Sequence, residues 1–247
     1  MKKLVSIITP CYNSSKYIEE TIKSVQSQSY ENWEMLITDD GSTDNSIELI
    51  ERLQMEDKRI QLFKSQNSGA AVARNNSIKM ANGHYLAFLD SDDLWTSEKL
   101  EAQIHFMESN HYALSFAGYQ KIDEKSQLIK DSKIRVKEKI SYKDMLTSNK
   151  MGCLTVIYNC NSLGKVYMPL IRKRQDYALW LKLLKITPYA YGLPKKLGYY
   201  RIRKSSISSS KIEMLKWNWK LFKEIEGLSF TKSLYSVCSN VLYKIFK

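Results

Sequence analysis

Tyr85-Leu86-Ala87-Phe88-Leu89-Asp90-Ser91-Asp92-Asp93 is the stretch that decides the fold. Five apolar residues run straight into three carboxylates. A short apolar run bounded by a turn reads as a strand covered on both faces, the habit of parallel sheets. Crowded carboxylates repel one another, and drying them is costly unless something positive sits among them. Hard divalent cations prefer such oxygens, and Mg2+ in particular is held by one or two carboxylates plus substrate phosphates. The strand end therefore reads as a place where a metal holds a phosphorylated substrate. The plain alternative is a solvated loop whose Asp caps the next helix.

Upstream, strand and helix patterns alternate. Leu4–Thr9 is a short β-branched run closed by the turn Pro10-Cys11-Tyr12-Asn13-Ser14. Ile18, Ile22 and Val25 then recur at helical spacing. Trp33–Thr38 reads as a second strand and ends in Asp39-Asp40-Gly41-Ser42-Thr43-Asp44. Ile47, Ile50 and Leu53 mark a second helix. Ile60–Lys64 is a third strand, and Asn67-Ser68-Gly69 leads into a helix over 70–80. This alternation predicts an α/β fold with a mainly parallel, Rossmann-like sheet flanked by helices. Ligands of such sheets bind beyond the carboxyl ends of the strands. The Pro10, Asp39 and Asp90 clusters all fall there, so they are expected to meet on one rim.

With 247 residues and 43% hydrophobic content, the chain can bury a core of its own. It has no apolar run long enough to predict a membrane span, and Pro10 interrupts the apolar start too early for a signal peptide. Cys11, Cys153, Cys160 and Cys238 lack metal-ligand spacing, and only three histidines accompany them, which argues against a zinc site. Free thiols fit a reducing, cytoplasmic setting. A net charge of +12 implies an anionic partner: nucleic acid, a membrane leaflet or a polyanionic substrate. No nucleic-acid motif is present.

After Thr96 a fourth helix is expected, with Leu100, Ile104 and Met107 on one face. Residues 121–150 are dense in charge and weakly patterned, and are expected to be irregular and mobile. The pattern returns from Gly152 to Tyr200, with a helix over 174–186. The last stretch, Lys211–Lys247, carries seven Lys against three Glu. Ile212, Leu215, Trp219 and Phe222 precede a break at Gly227, and Leu234, Val237, Val241 and Ile245 follow it. Basic amphipathic helices of this kind either lie on anionic membranes or pack on their own domain with Lys outward.

The ordered set Thr9-Pro10-Cys11-Tyr12-Asn13, Asp39-Asp40-Gly41-Ser42-Thr43-Asp44, Asn67-Ser68-Gly69 with Ala73-Arg74-Asn75, Asp90-Ser91-Asp92-Asp93 and Gln175-Asp176 resembles glycosyltransferase family 2. Those are inverting enzymes of the GT-A fold that use nucleotide-sugar donors. The resemblance implies that Thr9, Pro10 and Tyr12 touch base and ribose. It implies that Asp40 hydrogen-bonds the base edge while Asp39 shapes the loop. Arg74 would approach the donor phosphates, with a salt bridge to a strand-end Asp as the alternative. Asp90 and Ser91 would lie along the donor. Asp92, with Asp90, would hold Mn2+ or Mg2+. Asp176 matches the base that deprotonates the acceptor hydroxyl; many members carry Glu-Asp where this chain has Gln175-Asp176. Trp180 reads as core in preference to a sugar platform. Tyr200–Ser208 resembles a late family loop that often carries His where Arg203 stands, and Arg203 and Lys204 are charged to fold over the diphosphate.

The resemblance divides the chain into a nucleotide-sugar half (1–95), an acceptor half (96–210) and basic helices (211–247). It implies a hexose or N-acetylhexosamine moved from a UDP-sugar to a glycan or lipid-linked glycan acceptor. The expected location is cytoplasmic, at the inner face of the membrane, with an anionic membrane surface as partner and no nucleic acid. A nucleotidyltransferase, which would release pyrophosphate, and a basic nucleic-acid-binding protein are the other classes.

Overall fold

The computed structural model describes residues 2–129, 136–203 and 211–245. Its first third alternates as the sequence predicts: β1 (Val5–Cys11), α1 (Ile18–Gln26), β2 (Trp33–Asp39), α2 (Ser46–Glu56), β3 (Ile60–Lys64), α3 (Ala70–Met80) and β4 (Tyr85–Phe88). There follow β5 (Leu94–Trp95), α4 (Lys99–Ser109), β6 (Leu114–Ile122), β7 (Lys139–Ile140) and α5 (Tyr142–Thr147). The chain continues through β8 (Ile157–Asn159), α6 (Cys160–Leu163), α7 (Gln175–Ile186) and β9 (Ala190–Arg201). It closes with α8 (Lys211–Lys220), a π-helical turn over Leu221–Ile225, and α9 (Phe230–Ile245).

One mixed sheet of nine strands runs through the described residues, in the order β3-β2-β1-β4-β8-β6-β9-β5, with β7 on β9. The β1–β2, β2–β3 and β1–β4 pairs are parallel. Strands β8 and β5 enter antiparallel. Period-two alternation sends neighbours to opposite faces. Val5, Ile7, Met35, Ile37, Tyr85 and Ala87 pack with Ile18, Ile22, Val25, Leu100, Ile104 and Met107 from α1 and α4. Ile8, Leu36, Leu86 and Phe88 pack on the other face with Ile78 of α3 and Trp180 of α7. Covering both faces explains why β1 and β2 carry consecutive apolar residues, Ile7-Ile8 and Met35-Leu36-Ile37.

One expectation is corrected. Residues 121–150 are not irregular throughout: β6 continues to Ile122, and β7 and α5 lie within the segment, while 130–135 fall outside the described residues. A capping box starts α5, with Ser141 and Asp144 satisfying each other's backbone N–H. The stretch after Gly227 also differs from the stretch before it. Leu221 and Phe222, in the π turn that continues α8, are fully buried in the core, and Met214 is nearly so. That part of the C-terminus is packed on the domain. Among the described residues no helix is long and apolar enough to cross a membrane.

Candidate active site

Strand β1 lies between β2 and β4 and runs parallel to both, so the order of the sheet reverses there. Its ladder with β4 stops at Ile8, whereas its ladder with β2 continues to Cys11. The diverging ends open a crevice at the switch point, where α/β sheets bind ligands. The three strand-end loops are stitched together at that point. The Asn13 backbone N–H donates to Ser42 Oγ, and Thr43 N–H donates to Asn13 Oδ1, both at 2.8 Å. Ser14 Oγ and Ser91 Oγ share a hydrogen bond of 2.7 Å. The rim expected from the sequence is therefore one continuous hydrogen-bonded surface.

The residues expected on the donor side separate into exposed and structural groups. Tyr12 stands 48% exposed beside Asn13, whose φ of 47° turns the loop outward. Pro10 is half-buried. Thr9 is fully enclosed, its Oγ1 without a partner. This corrects the expectation of a direct side-chain contact, because Thr9 forms the floor below the rim. Asp39 accepts from the backbone N–H groups of Gly41 and Ser42 and from Ser42 Oγ. That turn requires the left-handed φ of +83° that Gly41 supplies. Asp40 accepts from Ser65 Oγ, Ser68 N–H and Gly69 N–H, and so fixes the entry to α3. A carboxylate has about four lone-pair sites, so one remains for a base N–H. Ser91 is bound twice, through Oγ to Ser14 and through its carbonyl to Thr21, and is a positioning residue in this packing.

Asp90 and Asp92, the acids expected to hold a metal, each pair with a guanidinium. Arg74, buried on α3, meets Asp90 at 2.5 Å. Burial opposes the Arg74 charge, but Asp90 more than compensates and holds it above its ordinary range. Arg203 Nε meets Asp92 at 2.7 Å. Burial pushes the Asp92 carboxyl up, Arg203 pulls it down, and the neighbouring Asp90 raises it again. Asp93 is almost completely buried and rises well above the carboxylate range through desolvation and its two acidic neighbours. It does not cap α4, because its Oδ1 accepts from the Arg201 backbone N–H on β9. Lys204–Ser208 of the late loop lie outside the described residues.

Arg201 was not singled out by the sequence reading. Its guanidinium donates to the Asp92 carbonyl, the Asp123 carbonyl, Ser126 and Glu20, tying β9 to the acid cluster. The signal was the Arg-Ile-Arg spacing: on an extended chain Arg201 and Arg203 point to the same side.

Asp176 occupies the first turn of α7, where the helix N-terminus favours a carboxylate. The preceding Arg174 is held in the left-handed region at φ 67°, and two of its guanidinium nitrogens are buried without partners. Strain of that kind collects at functional sites. Asp176 lies within electrostatic reach of both Arg74 and Arg174. The Cys153 thiol, pushed up by burial and by Asp90, sits in the same group. Strand β4, helix α3 and helix α7 therefore deliver Asp90, Arg74 and Asp176 to one field. Trp180, one turn along α7, is fully buried core.

Fold and rim together define a nucleotide-sugar transferase of the GT-A class. The family model "Glycosyl transferase family 2" matches residues 6–167, and the chain belongs to that family. The matched stretch holds the strand-end acids and ends before Asp176. TuaG of Bacillus subtilis, a glycosyltransferase whose name assigns it to teichuronic acid biosynthesis, is 44% identical over 95% of this chain and 93% of its own. Escherichia coli WfgD, named as a UDP-Glc:alpha-D-GlcNAc-diphosphoundecaprenol beta-1,3-glucosyltransferase, is 40% identical over 87% of this chain and 84% of its own. Among solved structures, Staphylococcus aureus TarS with UDP-GlcNAc superposes with a TM-score of 0.72 at 21% identity, over 89% of this chain and 65% of TarS. The mannosyltransferase PcManGT of Pyrobaculum calidifontis, with GDP-Man and Mn2+, gives 0.73 at 15% identity, over 97% and 69%. At those identities the likeness speaks for the fold.

Proposed function

We propose that the chain is an inverting, metal-dependent hexosyltransferase. It moves a hexose or N-acetylhexosamine from a UDP-sugar to a hydroxyl of a lipid-linked glycan. The observation that supports this reading best is the Arg74–Asp90 pair at the strand ends, with Asp176 close enough to act on the charge of Arg74.

The acids suit Mn2+ or Mg2+. Asp90 and Asp92 crowd each other, and no group of three His, Cys, Asp or Glu among the described residues makes a complete protein cage. Two carboxylates completed by diphosphate oxygens is the usual arrangement for these ions. Asp92, with Asp90, would hold the cation, which when bound neutralises charge on the departing diphosphate. Arg74 and Arg203 are the residues placed to exchange their carboxylate partners for donor phosphates. Tyr12 offers an exposed ring to the base, and the free lone pair of Asp40 accepts from the base edge.

Asp176 acts as general base. It takes the proton of the acceptor hydroxyl as that oxygen bonds to the anomeric carbon. The bond from that carbon to the diphosphate oxygen breaks with its electron pair, UDP leaves, and the configuration inverts. In this reading residues 1–95 bind the donor, 96–210 bind the acceptor, and 211–247 are basic amphipathic helices beside them. The acceptor class and the +12 charge favour a peripheral position at the inner face of an anionic membrane.

The first assay combines the protein, Mn2+, UDP-glucose and a synthetic GlcNAc-diphospho-lipid, the substrate class in the name of WfgD. A product heavier by one hexose, with a β linkage and release of UDP, supports the proposal. Retention of the donor's α configuration, or no transfer from any UDP-hexose to any diphospho-lipid glycan, contradicts it.

A further inference from the structure

Helix α9 is folded with its polar side inward. Ser233, Ser236 and Asn240, spaced by three and four, are buried against the domain. Asn240 Nδ2 donates to the Leu146 carbonyl of α5 at 3.2 Å, and Ser233 Oγ donates to the Leu228 carbonyl. About half a turn away, Leu234, Tyr235 and Leu242 are 47–65% exposed, and Cys238 is exposed between them. Phe230, at the start of the helix, is 60% exposed and meets Trp219 edge-on. Val237 also packs against the core, so α9 sits on its domain through serine, asparagine and valine, and Leu234, Tyr235 and Leu242 are left uncovered for something else.

We infer that this face of α9 inserts into the acyl border of an anionic lipid bilayer and docks the enzyme there. Charge complementarity selects that occupant. The sequence of α9 contains no Asp or Glu and Lys232 is exposed on it, while on the segment before it Lys216 and Lys223 are exposed against one exposed acid, Glu224, so the balance is basic. A second copy would bring the same basic surface against itself across a two-fold axis, and like charges repel there. Anionic headgroups meet the lysines while the leucines enter the apolar layer. Tyr and Trp are the side chains that favour that boundary. The contact is narrower than the whole basic tail, since Trp217, Leu221, Phe222 and Ile225 of α8 and its π turn pack in the core.

The docking face also shares its support with the site. Helix α9 leans on α5, and the Met145 carbonyl of α5 accepts from Tyr177 Oη, the residue after Asp176. The use of such docking rests on the reading that the acceptor is lipid-linked; the docking itself does not.

The test is co-sedimentation of the full chain with vesicles of phosphatidylcholine containing phosphatidylglycerol, in low salt and in about 1 M salt, where charges are screened within about 3 Å. Part of the binding is expected to survive high salt. The double variant Leu234→Ser/Leu242→Ser should lose that part at least about tenfold, with unchanged melting because both side chains are half-exposed. In the otherwise native chain, an environment-sensitive dye on Cys238 should shift to the blue when vesicles are added. Binding that vanishes in high salt with no dye shift would overturn the inference in favour of headgroup attraction alone. So would a dimer on gel filtration that the double variant dissolves. Donor-induced melting shifts report the transferase site without lipid, so failure of either reading is seen separately.

Discussion

At the rim formed by β1, β2 and β4, polar side chains gather at the strand ends, several of them buried, and their charges have specific partners: Arg74 with Asp90, Arg203 with Asp92, Asp40 with the entry to α3. On α9 the arrangement is reversed, with small polar residues inside and leucine and tyrosine outside. Both regions are amphipathic in sequence. They differ in what fixes the inner side. At the rim, hydrophobic strands bury themselves and leave their polar ends at the edge. At α9, the Asn240 bond to the Leu146 carbonyl and the packing of Val237 hold the helix down, while Leu234, Tyr235 and Leu242 stay outside.

The largest effect that could break this comparison is at the base. Asp176→Asn is expected to lower kcat by about 10²–10⁴ while the metal-dependent melting shift with donor stays. Loss of donor binding together with kcat would move Asp176 out of the acceptor side. Next come the C-terminal helices. Phe222→Ala should destabilise by about 3–5 kcal/mol, because a fully buried ring leaves a cavity. Leu234→Ala on α9 should change stability by no more than about 0.5 kcal/mol. Equal effects on denaturant midpoints would erase the difference drawn between the two segments. A smaller effect is expected at Arg203→Ala. Its pair with Asp92 is partly exposed, so stability should change by less than about 1 kcal/mol. Donor affinity by titration calorimetry should nevertheless fall about tenfold, as a charged hydrogen bond to phosphate is lost. An unchanged donor affinity would leave Arg203 as a surface partner of Asp92 only.

The rim of strand-end acids was legible because apolar runs and strand-end acids are local patterns, and the topology of parallel sheets brings their ends together. Asp39, Asp40, Asp90 and Asp92 needed no distant residue to be noticed. Thr9 was misjudged because burial of one side chain in a loop depends on what packs over it. Arg201 was missed because its partners, Glu20, Asp92 and Asp123, are far away in sequence. Helix α5 was missed because six residues give too little periodicity, although the Ser141-x-x-Asp144 box was a usable signal. The direction in which α9 faces was not legible, since periodicity marks two sides and does not say which is inside.

The most direct test of the transferase site is the melting temperature of the native chain and of Asp92→Ala with UDP-, GDP- and dTDP-sugars in Mn2+ or Mg2+. Stabilisation of the native chain by a UDP-sugar only when metal is present, absent in Asp92→Ala, is the predicted result. No shift with any nucleotide sugar and either metal, or an equal shift in Asp92→Ala, would contradict it.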